Sequence, residues 1–270
     1  MMAADLALVK PLRCVAVTRY VTPLREGGSL PALVEADDEF LYVLKFRGAG
    51  QGVKALIAEL LVGELARALG LRVPELVLAD LDAAFGRSEA DEEIQDLLRA
   101  STGQNLALHY LAGAATFDPL VADVVPELAS LVVWLDALTL NVDRTARNTN
   151  LLMWHKELWL IDHGAALYVH HAGPDWARAG GTRPFPQIRD HVLLPQATAL
   201  ATADALGHAR LTPELLWAVV ALVPERWLAE AFPGVTDAAA RVVYVRFLEA
   251  RLAASFIFVH EADHARNGLV

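Results

Sequence analysis

Asn141-Val-Asp143-Arg-Thr-Ala-Arg-Asn148-Thr-Asn-Leu-Leu152, followed by Leu158-Trp-Leu-Ile-Asp162-His-Gly164, is the stretch whose reading decides the fold. Upstream, Glu127 to Leu140 is an apolar run of helical length, so the polar residues from Asn141 onward emerge on a loop where that helix ends. Asn150 to Met153 and Glu157 to Ile161 then read as a short hairpin around Trp154-His155-Lys156. Asp143 is followed five residues later by Asn148, and Asp162 stands 19 residues beyond Asp143, against a glycine turn. Side-chain oxygens at the two ends of one hairpin suit a hard cation such as Mg²⁺, which takes one or two carboxylates and fills its remaining positions with phosphate oxygens and water.

Working outward toward the N-terminus, Cys14 to Phe46 is short, β-branched and aromatic, and predicts three antiparallel strands with a turn at Gly27-Gly28. Lys45 is the lone cation inside the apolar strand Phe40-Leu-Tyr-Val-Leu-Lys45-Phe46. A buried, unpaired ammonium there would be costly, so a phosphate and a helix carboxylate are its expected partners. Gly48-Ala-Gly50-Gln-Gly52 leads into a helix over Val53 to Gly70, with apolar residues at i, i+3, i+4 spacing. Two carboxylates compete for Lys45. Glu64 lies near the middle of the apolar stripe and Glu59 outside it, but the spacing to Gly70 favours Glu59, which is taken as the partner.

Leu71 to Leu78 returns to a strand, and Leu106 to Gly113, containing His109, supplies another at the far edge of the sheet. From Pro126 helices dominate, with candidates at Pro213 to Leu222, Pro224 to Ala231 and Thr236 to Asp263. The layout is α+β and bilobal: a small, mostly antiparallel β-rich lobe with one long helix over residues 1–112, then a larger, mainly helical lobe over 113–270 that carries the polar loops. A ligand cleft is expected between them.

The remaining features set bounds. Two hundred and seventy residues, 55% of them hydrophobic, are enough for one bilobal domain with a substantial core. A formal charge of −10 disfavours a general nucleic-acid or anionic-membrane binder, leaving only local basic pockets. Leu215 to Pro224, the most apolar uncharged run, is about half a bilayer span. One cysteine, Cys14, and no signal-like start point to a cytoplasmic protein, with Cys14 read as a small hydrophobe.

Four segments together resemble the HipA-like kinases, within the wider group that includes the phosphoinositide kinases: Tyr42 to Gly52, Ala58 to Glu75, Asn141 to Leu152 and Leu158 to Tyr168. The Asp-Arg, Asn and Ile-Asp-His-Gly order is especially similar to the lipid kinases, while Glu59 and Gly70-Leu-Arg-Val-Pro74 are similar to HipA. The resemblance implies a bilobal kinase-like fold and transfer of a phosphoryl group from ATP, with Mg²⁺, to a hydroxyl of a protein (Ser/Thr-type) or of a small molecule. By that similarity Lys45 binds phosphates, Glu59 pairs with it, Asp143 is the catalytic aspartate, and Asn148 with Asp162 holds the metal, histidine replacing the phenylalanine of an Asp-Phe-Gly element. Gly27, Gly28 and Ser29 are the positional candidates for the loop over the phosphates, Gly48 to Gly52 is a rival, and His109 is grouped with the nucleotide-binding residues. HipA carries an additional amino-terminal domain for which this chain is too short, so a toxin role does not carry over. The alternative is a nucleotide-binding pseudokinase that acts through its surface.

Three further features are weighed and set aside. His260-Glu-Ala-Asp-His264 matches a zinc-peptidase helix but lacks a third ligand, and reads as a solvated helix end. His163 belongs to the aspartate turn, and His170-His171 reads as surface loop. Gly173 to Arg189 is a long Pro- and Gly-rich segment whose Arg178, Arg183 and Arg189 read as solvated arginines, with reception of an anionic acceptor as the alternative.

Overall fold

The computed structural model describes residues 9–24, 30–85, 91–172 and 176–268. Strands β1 (Arg13–Pro23), β2 (Ala32–Ala36) and β3 (Leu41–Lys45) form as the alternating apolar pattern requires, and helix α1 spans Gly52–Ala68. Strand β4 (Leu76–Leu81), helix α2 (Glu92–Ala100) and strand β5 (Gly103–His109) follow. The strands close into a barrel in the order β1-β2-β3-β5-β4, with every pairing antiparallel except β1 on β4. That parallel pair corrects the picture of an open sheet. It also moves β5 from the expected edge to the interior, between β3 and β4, which is why Leu106, Ala107 and Leu108 are buried on both faces. Helix α2 was not foreseen; Asp91 caps it by accepting from the Glu93 and Ile94 amides.

The second part of the chain begins with a two-residue strand, β6 (Ala115–Thr116), and helix α3 (Pro126–Thr139), which opens on a proline. Strands β7 (Leu151–Trp154) and β8 (Glu157–Leu160) make the expected hairpin, with β6 as a third strand on β7. Its turn residues, His155 and Lys156, both have positive φ, 50° and 66°, a twist that matches the right-handed twist of the strands. Short helix α4 (Trp176–Gly180) and then α5 (Leu200–Arg210), α6 (Pro213–Ala221), α7 (Glu225–Ala231), α8 (Asp237–Ala253) and α9 (Ser255–Asn267) complete the helical lobe.

Helices α8 and α9 replace the single helix expected over Thr236 to Asp263. The break at Ala254 lets α8 pack on α4 and α6 while α9 turns onto α3, where Phe258 meets the Trp134 ring edge-on at 6.0 Å. One continuous core joins α1, α3, the β7–β8 hairpin and the C-terminal helices, and a second, smaller one fills the barrel. Helix α1 is buried nearly all round, so it carries no single apolar stripe. Two readings of single residues change. Cys14 is exposed on β1, and His170 is buried at 1% exposure with its Nδ1 3.1 Å from the Tyr244 hydroxyl. No helix among the described residues is long and apolar enough to cross a membrane.

Candidate active site

Strand β3 ends on Lys45, and its Nζ donates to Asp162 Oδ1 at 2.5 Å and to Glu59 Oε2 at 3.4 Å. Helix α1 delivers Glu59, while Glu64 sits elsewhere against Arg67 at 3.3 Å. Glu59 is wholly buried although the apolar stripe alone placed it outside, because every side of α1 is covered. Burial opposes the charged form of all three groups. Desolvation raises the Glu59 pKa even with Lys45 beside it. For Lys45 the two carboxylates outweigh desolvation and raise its pKa, and for Asp162 the Lys45 charge and hydrogen bond outweigh burial and lower it. Lys45 and Asp162 are thereby held charged at neutral pH.

Asp143, Asn148 and Asn150 form a second cluster. Asp143 Oδ2 accepts from Asn148 Nδ2 at 2.8 Å and from Asn150 Nδ2 at 3.1 Å, and the Asp143 amide donates to Asn141 Oδ1 at 3.1 Å. Asn150 also donates to the Asp162 carbonyl at 3.4 Å, linking the two clusters. Leu140, Asn150, Asp162 and Leu167 all hold left-handed backbone, with φ between 48° and 56°. Each such non-glycine residue costs about 1–3 kcal/mol, and surrounding structure must impose it; such strain concentrates at functional sites.

A buried network that the sequence reading missed lies behind these loops. Arg144, 1% exposed, donates through Nε to Asp136 Oδ2 at 2.6 Å, through Nη1 to the Asn150 carbonyl, and through Nη2 to His163 Nδ1 at 3.1 Å. Asp136 also accepts from Asn141 Nδ2 at 2.9 Å and from His191 Nε2 at 2.9 Å. Burial pushes the Asp136 pKa up, but Arg144 and His191 more than reverse it, holding the carboxyl well below its usual range. The Leu193 amide donates to His191 Nδ1, which leaves the proton on Nε2 to face Asp136. Arg144 cannot accept, so His163 Nδ1 is bare and its proton sits on Nε2, which is buried without a hydrogen-bond partner. Desolvation and the Arg144 charge lower the His163 pKa to about 3. A signal for the network was present: Asp136 is a carboxylate within the apolar run Leu131 to Leu140, the mirror of Lys45 in its strand.

Lys45, Ala49, Gln51, Gly52, Glu59 and Asp162 line one cavity, which places the Gly48 to Gly52 tract beside the charged triad. Gly27, Gly28 and Ser29 lie outside the described residues. His109 lines a separate cavity of about 310 Å³ behind β5, with Arg67, Glu75, Trp154 and Trp159. On α9, Glu261 is engaged by the Phe185 amide, and among the described residues no group of three or more His, Cys, Asp or Glu is placed to hold a metal ion.

A sequence profile described as "HipA-like kinase" matches residues 17–178. The chain belongs to the HipA-like kinase family. Among solved structures it is similar to the Helicobacter pylori proinflammatory kinase CtkA, with a TM-score of 0.54 at 14% identity over 96% of this chain and 99% of that one. It also aligns with a Golgi casein kinase, TM-score 0.41 at 13% identity over 94% of this chain and 74% of that one, and with the Golgi casein kinase with Mn/ADP bound, TM-score 0.41 at 14% identity over 94% and 75%. The likeness to CtkA shows an α+β kinase-like fold. No curated protein sequence matches significantly.

Proposed function

We propose that the protein is an ATP-dependent phosphotransferase that moves the γ-phosphoryl group of ATP, with Mg²⁺, onto the hydroxyl of a protein or small-molecule acceptor. The observation that carries this reading is the meeting of Lys45, Glu59 and Asp162 with the Asp143–Asn148 pair through Asn150. Residues from a strand, a helix and two loops converge there.

The residues present fit a magnesium ion. Asn148 turns its amide nitrogen toward Asp143, so its Oδ1 would be the atom offered to the ion, and Asp162 commits Oδ1 to Lys45, so its Oδ2 would be the other. Both are oxygen donors and only one is a carboxylate, the sparse set that Mg²⁺ uses when phosphates complete its sphere. When bound, the ion would neutralise charge on the transferring phosphoryl group.

The chain's own groups supply the remainder. Lys45, held charged between two carboxylates, would turn to the phosphate oxygens. Glu59 would keep its ammonium aimed into the cleft. Asp143 has Oδ2 occupied by two amides and Oδ1 open to the acceptor hydroxyl. As the acceptor oxygen bonds to the γ-phosphorus and the bond to the β,γ-bridging oxygen breaks, the hydroxyl proton passes to Asp143. Catalysis of this kind rests on positioning and charge stabilisation.

The test is incubation with γ-labelled ATP and Mg²⁺, with and without cell extract, for wild type and Asp143→Ala. Label transfer that falls by roughly 10²–10⁴-fold in the variant supports the reading. Nucleotide binding without hydrolysis, self-modification or transfer would establish a binding module instead.

A further inference from the structure

The catalytic loop carries two arginines with opposite fates. Arg144 is buried in the Asp136 network, whereas Arg147, one residue before Asn148, is exposed and has no hydrogen-bond or ion-pair partner among the described residues. Its neighbours are committed: Asn148 donates to Asp143, and Thr145 Oγ1 faces the Asn148 amide at 3.4 Å. Arg147 is thus an unspent cation a few residues from the carboxylate that would receive the acceptor.

A second segment runs beside the same loop. Thr145 and His191 form an isolated antiparallel bridge, and the Val192 amide donates to the Arg144 carbonyl at 3.1 Å. Arg189 precedes His191 by two residues, its side chain is 72% exposed, and among the described residues its one ion partner is its neighbour Asp190, 3.8 Å away. Two residues of chain span at most about 7 Å, so Asp143, Arg147 and Arg189 all lie within that reach of the crossing. Asp190 offsets part of the Arg189 charge, and nothing described offsets Arg147.

In a chain with a formal charge of −10, the overall field repels anions, so an anionic acceptor needs cations placed locally. A guanidinium presents a planar fork that matches carboxylate and phosphate oxygens. Resting on the phosphotransferase reading, we infer that Arg147, with Arg189 at the rim, is a specificity-determining residue that selects acceptors bearing a fixed negative charge, carboxylate or phosphate, beside the hydroxyl.

The experiment compares a serine peptide flanked by Glu with its Gln- and Lys-flanked counterparts, and a phosphorylated polyol with the bare polyol, for wild type, Arg147→Ala and Arg147→Glu. The expected result is preference for the charged acceptor of at least one pair, by about tenfold in kcat/KM. In Arg147→Ala that ratio falls by about tenfold, mainly through KM, and Arg147→Glu moves the peptide preference toward the Lys-flanked form. The pair that shows the effect identifies the source of the charge. A ratio indifferent to Arg147, or a wild type that prefers neutral or basic acceptors, overturns the inference. Fluorescence anisotropy of the labelled Glu-flanked peptide reads binding without turnover. Arg147-dependent binding by an inactive wild type would remove the phosphotransferase reading and keep the anion site; no binding and no transfer would remove both.

Discussion

Lys45 Nζ stands closer to Asp162 Oδ1, at 2.5 Å, than to Glu59 Oε2, at 3.4 Å, so one buried ammonium ties a barrel strand to helix α1 and to the turn after β8. Replacing it by methionine keeps the apolar stem and removes the charge. Turnover of Mg-ATP in Lys45→Met is expected to fall by about 10²–10³-fold, as when a transition-state donor is lost. Steady-state kinetics checks this, and turnover within threefold of wild type would show that Lys45 does not serve the phosphates.

Asp136 is the hub of a wholly buried network, and removing it leaves the Arg144 guanidinium without its counter-charge. Asp136→Ala should cost about 3–5 kcal/mol, the range for breaking a buried pair from one side. Urea denaturation measures it. A loss below about 1 kcal/mol would mean that Arg144 finds another partner.

Acid should unfold the protein early, and the sign follows from His163. Its pKa is depressed to about 3 in the folded state against about 6.5 when unfolded. Between those values the unfolded chain binds the extra proton, so stability is full above about pH 6.5 and declines as the pH falls toward 3. The slope is about 1.4 kcal/mol per pH unit for one such group. His163→Phe should flatten the curve between pH 6 and 4 by about that amount, whatever it does to absolute stability; an unchanged slope in urea titrations would assign the proton elsewhere.

Helix α5 meets α3 at Gly207, where an added Cβ would lie 2.2 Å from the Trp134 ring. The indole cannot retreat easily, because its Nε1 donates to Asp204 at 2.8 Å and its ring abuts Phe258. Gly to Ala normally favours a helix, but here the overlap should dominate, with a net loss of about 1–3 kcal/mol. A denaturation midpoint equal to or above that of wild type would contradict this.

The parts legible in the sequence are those whose partners are local or whose chemistry is conspicuous. Asp143, Asn148 and Asp162 flank one hairpin, so their nearness follows from chain connectivity, and Lys45 announces itself as a charge in an apolar strand. Between Glu59 and Glu64 the spacing to Gly70 favours the residue that meets Lys45, while the apolar stripe points the other way because α1 is covered all round, which only packing reveals. Asp136 and His191 meet across 55 residues of sequence, and no local pattern encodes that contact. Barrel closure by a parallel β1–β4 pair was equally hidden, because alternation along a strand does not state the direction of its neighbour. The break at Ala254 carries no proline or glycine to mark it, and arises from the different partners of α8 and α9.

The central claim is that Lys45 and Asp162 serve the nucleotide and its metal while Asp143 serves the acceptor, and titration of Mg-ATP by calorimetry tests it most directly. Lys45→Met and Asp162→Asn should weaken binding at least tenfold, whereas Asp143→Ala should bind within about threefold of wild type yet transfer the phosphoryl group roughly 10²–10⁴-fold more slowly. Undiminished affinity in the first two variants, or full turnover in the third, would contradict the account.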